Sequence, residues 1–185
     1  SGDSTAVSAT CFLADNSPAP HGTDIRFETD NGSFTESLAF VEGNSGRAIT
    51  YFIAGVIVGT AHITATYQDF QDTVVSNTAE IDLIAGPPSF VRVTANRYEL
   101  ITSDPTSVSE VTATITDTSG NPVRQGTYVT YTTTLGTITP SAITNEFGDA
   151  MALLRPGVQT GTATVTATSE GVSGTTTVTF ISGRP

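Results

Sequence analysis

Lysine and tryptophan are absent from the 185 residues, and cysteine occurs once. With arginine as the only basic residue, a Lys–Asn or Lys–Asp isopeptide crosslink of the kind that stiffens some surface adhesins is excluded. Seven arginines face eighteen acidic residues, a net charge of −11, which argues against a nucleic-acid backbone or an anionic membrane as partner. The lone thiol, Cys11, has no partner for an internal disulfide, so stability must come from apolar burial. It sits in an alternating pattern between Ala9 and Leu13, where a small buried residue is expected. No apolar run approaches the roughly 18 residues of a membrane-spanning helix. The nearest, ITYFIAGVIVGTAHI at 49–63, is interrupted by Gly and Thr, and no membrane insertion is expected. The opening SGDSTAV has neither an initiator Met nor a basic-then-apolar leader pattern, and reads as a mature or excised fragment.

What the chain does contain is threonine, glycine and a copy of itself. Displaced by 104 residues, Ala9, Thr10, Pro18, Gly22, Thr23, Thr29 and Gly32 fall on Ala113, Thr114, Pro122, Gly126, Thr127, Thr133 and Gly136. Displaced by 102, residues 46–66 meet 148–168 with ten identities in twenty-one positions. Turn glycines and strand alanines coincide together, so the chain is a tandem repeat of one supersecondary unit. The boundaries expected are 1–85 and 86–185, with Pro87 and Pro88 favouring an extended, semi-rigid joint. Charge divides unequally: the first part carries eleven acids and two arginines, the second seven acids and five arginines.

The repeated unit reads as β throughout. VTATITD (111–117), TYVTYTTT (127–134), TATVTAT (162–168) and TTTVTF (175–180) alternate with period two and are rich in β-branched residues. Thr at alternate positions suits a strand with one face in water. Val129 and Tyr131 align with Ile25 and Phe27, Val165 with Ile63, and Val111 with Val7, which places these residues in the core. Gly, Pro, Asn and Asp between the strands mark turns, and short strands at this spacing predict two all-β Greek-key sandwiches.

The second copy, TATITDTSGNPVRQGTYVTYTTTLGTIT followed by TNEFGDAMALL, TGTATVTA and GVSGTTTVTF, resembles the bacterial immunoglobulin-like domain of group 1 (Big-1), the invasin and intimin type. The match spans 88–181; residues 1–85 resemble the family only through their sister copy. The resemblance implies tandem immunoglobulin-like sandwiches, an extracellular or bacterial cell-surface setting, a stalk or adhesion role, no enzymatic activity and no cofactor. It implies protein partners, either other subunits or a host or cell-surface receptor.

PPSFVRVTANRYELITSDPT opens the second copy, and Phe90 to Ala95 within it is expected as a first strand. The 104-residue offset sets Ser1 opposite Pro105, so the first copy has no counterpart of Pro87 through Asp104. An uncovered sheet edge is a liability that natural proteins cover. Either the chain was cut from a longer protein, or the edge is covered by something else, and a neighbouring subunit's strand would serve, giving a homo-oligomer or filament subunit.

Candidate sites are few. Tyr51, Phe52, Ile53, Val56, Ile57 and Val58 form the most apolar stretch, readable as a strand buried on both faces or as an exposed interface patch. His21 and His62 stand in unrelated surroundings, and no Ser, His and acid grouping is readable. No clustered His, Cys or carboxylate pattern marks a metal site. Asp117, Asn121, Glu146 and Asp149 are turn residues that would supply oxygen ligands to calcium if brought together, though Asp and Asn are also ordinary turn formers. NGS at 31–33 fits a glycosylation acceptor and, more simply, an Asn-Gly turn.

Overall fold

The computed structural model describes residues 3–68, 73–102 and 104–183. They fall into two compact units, Ser1–Ile84 and Ala85–Pro185. No helix occurs among the described residues.

Unit 2 is the complete version. Its strands are β9 (Phe90–Ala95), β10 (Glu99–Thr102), β11 (Ser109–Thr116), β12 (Tyr128–Thr133), β13 (Thr137–Ile138), β14 (Ser141–Ile143), β15 (Asp149–Arg155), β16 (Gly161–Ser169) and β17 (Val172–Ser182). One sheet has the order β13-β15-β11-β9 and the other β10-β17-β16-β12-β14. All pairings are antiparallel except that of β10 with β17. The opening strand therefore divides, β9 closing the edge of one sheet and β10 that of the other.

Unit 1 contains β1 (Ser4–Thr10), β2 (Asp24–Thr29), β3 (Ser33–Phe34), β4 (Leu38–Phe40), β5 (Arg47–Ile53), β6 (Gly59–Gln68), β7 (Thr73–Val75) and β8 (Ala79–Leu83). Its sheets run β1-β5-β3 and β4-β2-β6-β7, with β8 also on β6. Strands β1 to β6 repeat β11 to β16 one for one. Ala9 pairs with Ala48 as Ala113 pairs with Ala150, and Phe27 with Ala65 as Tyr131 with Ala167. Strands β7 and β8 together replace β17, parted at Ser76–Thr78. No strand among the described residues repeats β9 or β10.

Period-two alternation places the cores where the sequence indicates. Ile25, Phe27, Ile63, Val111, Val129, Tyr131 and Val165 are all buried, whereas Val7 is only half-buried. Each sandwich fills its middle differently. In unit 2 the Tyr131 hydroxyl donates to the Ala150 carbonyl at 2.8 Å. In unit 1 Phe27, Phe34 and Phe52 pack with successive ring centroids 5.8 Å apart, tilted contacts each contributing about 0.5–1.5 kcal/mol beyond burial. The turn glycines Gly46 and Gly148 show why the repeat retains them. Both have positive φ, and a Cβ would collide with the Cys11 carbonyl in one unit and the Ile115 carbonyl in the other.

Candidate functional site

Strand β11 uses its backbone in two directions. The Ile115 N–H donates to Gly148 on the β15 side, while the carbonyls of Glu110 and Thr116 accept Asn96 and Ser89 on the β9 side. Odd-numbered residues thus face β15 and even-numbered ones β9. The even offset of 104 transfers this parity to β1, where the Cys11 N–H donates to Gly46 at 2.8 Å. Ala6, Ser8 and Thr10 consequently point their backbone N–H and C=O groups away from β5, and β1 is the last strand of its sheet. The edge is open among the described residues.

Beneath this edge lies a cavity of ≈ 440 Å³, lined among others by Ala9, Cys11, Phe12, Leu13, Ala65, Tyr67 and Val74. The inward residues along β1 are less covered than their counterparts in unit 2. Val7, Ala9 and Cys11 of unit 1 are half-buried, whereas Val111, Ala113 and Ile115 have no exposure at all. Across the gap Ile81 and Leu83 are half-buried, while Val178 and Phe180, which hold the same register on the neighbouring strand, are 0% and 1% exposed. Phe12 and Leu13 at the mouth are 60% and 43% exposed. Partial burial raises the pKa of the Cys11 thiol.

Residues 51–58 do not form one strand. Strand β5 ends at Ile53, and Val56, Ile57 and Val58 stand exposed in the loop to β6. Phe52 is 1% exposed and belongs to the core, so it is removed from the interface candidates; Tyr51 points outward and Ile53 is half-buried. The loop is fastened by Asn31 of the NGS turn, whose side-chain amide donates to the Ile57 carbonyl at 3.0 Å. A strand buried on both faces is ruled out by these placements.

The acidic candidates are occupied with holding turns. Asp117 accepts the N–H groups of Ser119, Asn121 and Gly86 and the Asn121 side-chain amide. Asp149 accepts the Thr114 hydroxyl. Asn121 also serves the Asp117 turn, and Glu146 is an exposed turn residue. Among the described residues no three His, Cys, Asp or Glu side chains group as a metal site. His21 takes the Gly43 N–H at 3.3 Å, and His62 pairs with Asp30 at 2.7 Å.

The residues that sequence reasoning passed over are those lining the groove. The signal was available: Phe90–Ala95 pairs with 111–116, and the repeat offset maps that partner strand onto residues 7–12.

Residues 90–183, just over half of the chain, match the family model described as invasin, domain 3. No curated protein sequence matches the chain. Among solved structures it is similar to InvD of Yersinia pseudotuberculosis, with 22% identity over 98% of this chain and 53% of that one, at a TM-score of 0.65. It is also similar to FdeC, an Escherichia coli adhesin, with 18% identity over 97% of this chain and 60% of that one, at a TM-score of 0.56. The chain spans about half of the InvD structure, and these likenesses establish the fold, an immunoglobulin-like β-sandwich.

Proposed function

Because the chain belongs to the invasin domain 3 family, we propose that it is an adhesion or stalk module of an extracellular, bacterial cell-surface protein. It is not an enzyme, as befits an invasin-type immunoglobulin-like domain. The family match over 90–183 carries this reading, and the likeness to FdeC, an Escherichia coli adhesin, is consistent with it. The partner is a protein surface, such as a host or cell-surface receptor, and the contact surface is drawn from the apolar residues Tyr51, Val56, Ile57 and Val58 left exposed on unit 1. Labelled chain should bind intact animal cells saturably, be displaced by excess unlabelled chain, and lose most binding in the double variant Tyr51→Ala, Ile57→Ser. Binding that is linear in concentration and indifferent to competitor would overturn the adhesion reading.

The open β1 edge favours a second reading, in which the chain is a structural subunit of an extracellular filament or phage surface and a neighbouring subunit's strand completes unit 1. Growth of the purified chain into concentration-dependent oligomers would support it, and a strictly monomeric chain at high concentration would count against it.

A further inference from the structure

We infer that the outer face of the sheet built on β2 and β6 in unit 1 is a docking surface for a protein partner that presents arginine or lysine beside an apolar side chain. Tyr51 lies on β5 of the other sheet and Val56 to Val58 in a loop, so the adhesion contact and this surface can fail separately.

The repeat makes the face visible. In unit 2 the equivalent surface is a lattice of hydroxyls: Thr132 stands beside Thr166, Thr164 beside Thr177 and Thr162 beside Thr179. On β12, β16 and β17 that face carries no charge. In the same register unit 1 has Glu28 for Thr132, His62 for Thr164, Glu80 for Thr177 and Asp82 for Thr179. Asp30, just past β2, stands where unit 2 has Thr134. Threonine already satisfies the strand and the solvent, so the fold does not require these charges.

Charge alone would leave a solvated face, and the other end of this one is apolar. Leu38 and Phe40 alternate with the buried Ala39 on β4 and are 37% and 52% exposed. They stand beside Arg26 and Asp24 of β2. Val75 of β7 lies across Thr66 from Arg26, and it too is exposed. An aromatic and a leucine at the surface, bordered by charges, have the composition of an interface anchor with a polar rim.

Electrostatic complementarity selects the occupant. Among the described residues of the face, Asp24, Glu28, Asp30, Glu80 and Asp82 oppose the single arginine, Arg26. His62 is held by Asp30 at 2.7 Å and lies 3.9 Å from Glu80, so it offsets part of this field only when protonated. A second copy of the chain, at −11, is repelled. A wholly polar cation would leave Leu38 and Phe40 uncovered. A partner with guanidinium or ammonium groups around an apolar side chain satisfies both ends of the face.

Titration of the full chain with short peptides, followed by NMR, tests the surface. The probe alternates Arg and Leu; one control alternates Arg and Ser, the other Glu and Leu. The Arg–Leu peptide should shift signals on β4, β2, β6 and β8 only, and bind at least about 10-fold more tightly than either control. Glu80→Gln with Asp82→Asn should weaken it about 3-fold and flatten its salt dependence. Leu38→Ser with Phe40→Ser should weaken it at least about 10-fold and keep that dependence. All four side chains are exposed, so these variants retain the fold. An Arg–Ser peptide that binds as tightly would reduce the face to a solvated acidic surface and overturn the docking site. A Glu–Leu peptide that binds as tightly would overturn the basic partner. No binding of the Arg–Leu peptide, shifts that extend over the threonines of unit 2, or unchanged affinity in either variant would overturn the inference altogether.

Discussion

The carboxylate of Asp30 holds His62 twice, accepting its backbone N–H at 2.8 Å and lying 2.7 Å from its imidazole Nδ1. In unit 2 the Thr134 hydroxyl accepts the Thr164 N–H at 2.9 Å in the corresponding place. The backbone bond belongs to the fold, and the ion pair is an addition peculiar to unit 1. The Asp30 hydrogen bond and charge raise the His62 pKa above its ordinary 6.5, with Glu80 adding to the effect. The His62 backbone and side-chain bonds lower that of Asp30 below 3.8.

Charged His62 is favoured by folding, so its contribution to unit 1 is fully present below about pH 6.5 and is lost as pH rises through the raised folded value. Followed by proton NMR, the His62 imidazole should titrate above 6.5 and return towards 6.5 in Asp30→Asn. An unchanged midpoint in the variant would refute the pairing.

Asp117 is the matching device in unit 2. Burial opposes its charge, and hydrogen bonds from Asn121, Gly86 and Ser119 outweigh that, so its pKa lies below the ordinary 3.8. The stabilisation is present above about pH 4 and lost as pH falls through the lowered folded value. Asp117→Ala should cost unit 2 about 1–3 kcal/mol in chemical denaturation near neutrality, and Asp117→Asn should flatten the loss of stability below pH 4. A variant as stable as the parent would show that the turn holds itself.

Tyr131 is buried, and its phenol is pushed up to about 12, chiefly by burial. Its hydroxyl serves the Ala150 carbonyl inside the core. Tyr131→Phe removes this second donor from a carbonyl that the β11–β15 ladder already engages and should destabilise unit 2 by about 0.5–1.5 kcal/mol, read as a shift of the second unfolding transition. The aligned Phe27 needs no such partner, because Phe34 packs against its ring.

Gly148→Ala should lower unit 2 stability by more than about 1 kcal/mol, where the same change at a compatible φ would stabilise by about 0.4–1 kcal/mol, since both the positive φ and the Ile115 carbonyl oppose a Cβ. Gly22→Ala, at positive φ but with open space around it, should cost less. Equal losses by thermal denaturation would contradict the steric account.

Most of the fold was legible because strand parity and turn glycine obey local rules. Val129, Tyr131 and Ile25 face inward through alternation alone, and the absent first strand follows from the offset that leaves Ser1 opposite Pro105. The apolar stretch at 51–58 left two readings open because hydrophobic content does not reveal where a strand ends. Gly55 packs directly against Asn31 and Gly32, and the chain beyond it is held as a loop by the Asn31 amide. Cys11 reads as a buried small residue, and only the uncovered edge beside it makes it a groove residue. The acidic turns resembled calcium ligands because a carboxylate that caps its own turn uses the same residue types.

Amide hydrogen exchange tests the open edge of β1 most directly. In the 185-residue chain the amides of Ser8 and Thr10 should exchange rapidly, while those of Thr112 and Thr114, covered by β9, should be protected. Added SFVRVTAN peptide should protect Ser8 and Thr10 and leave Thr112 and Thr114 unchanged. Ser8 and Thr10 already protected in the chain alone, or unaffected by the peptide, would contradict the account.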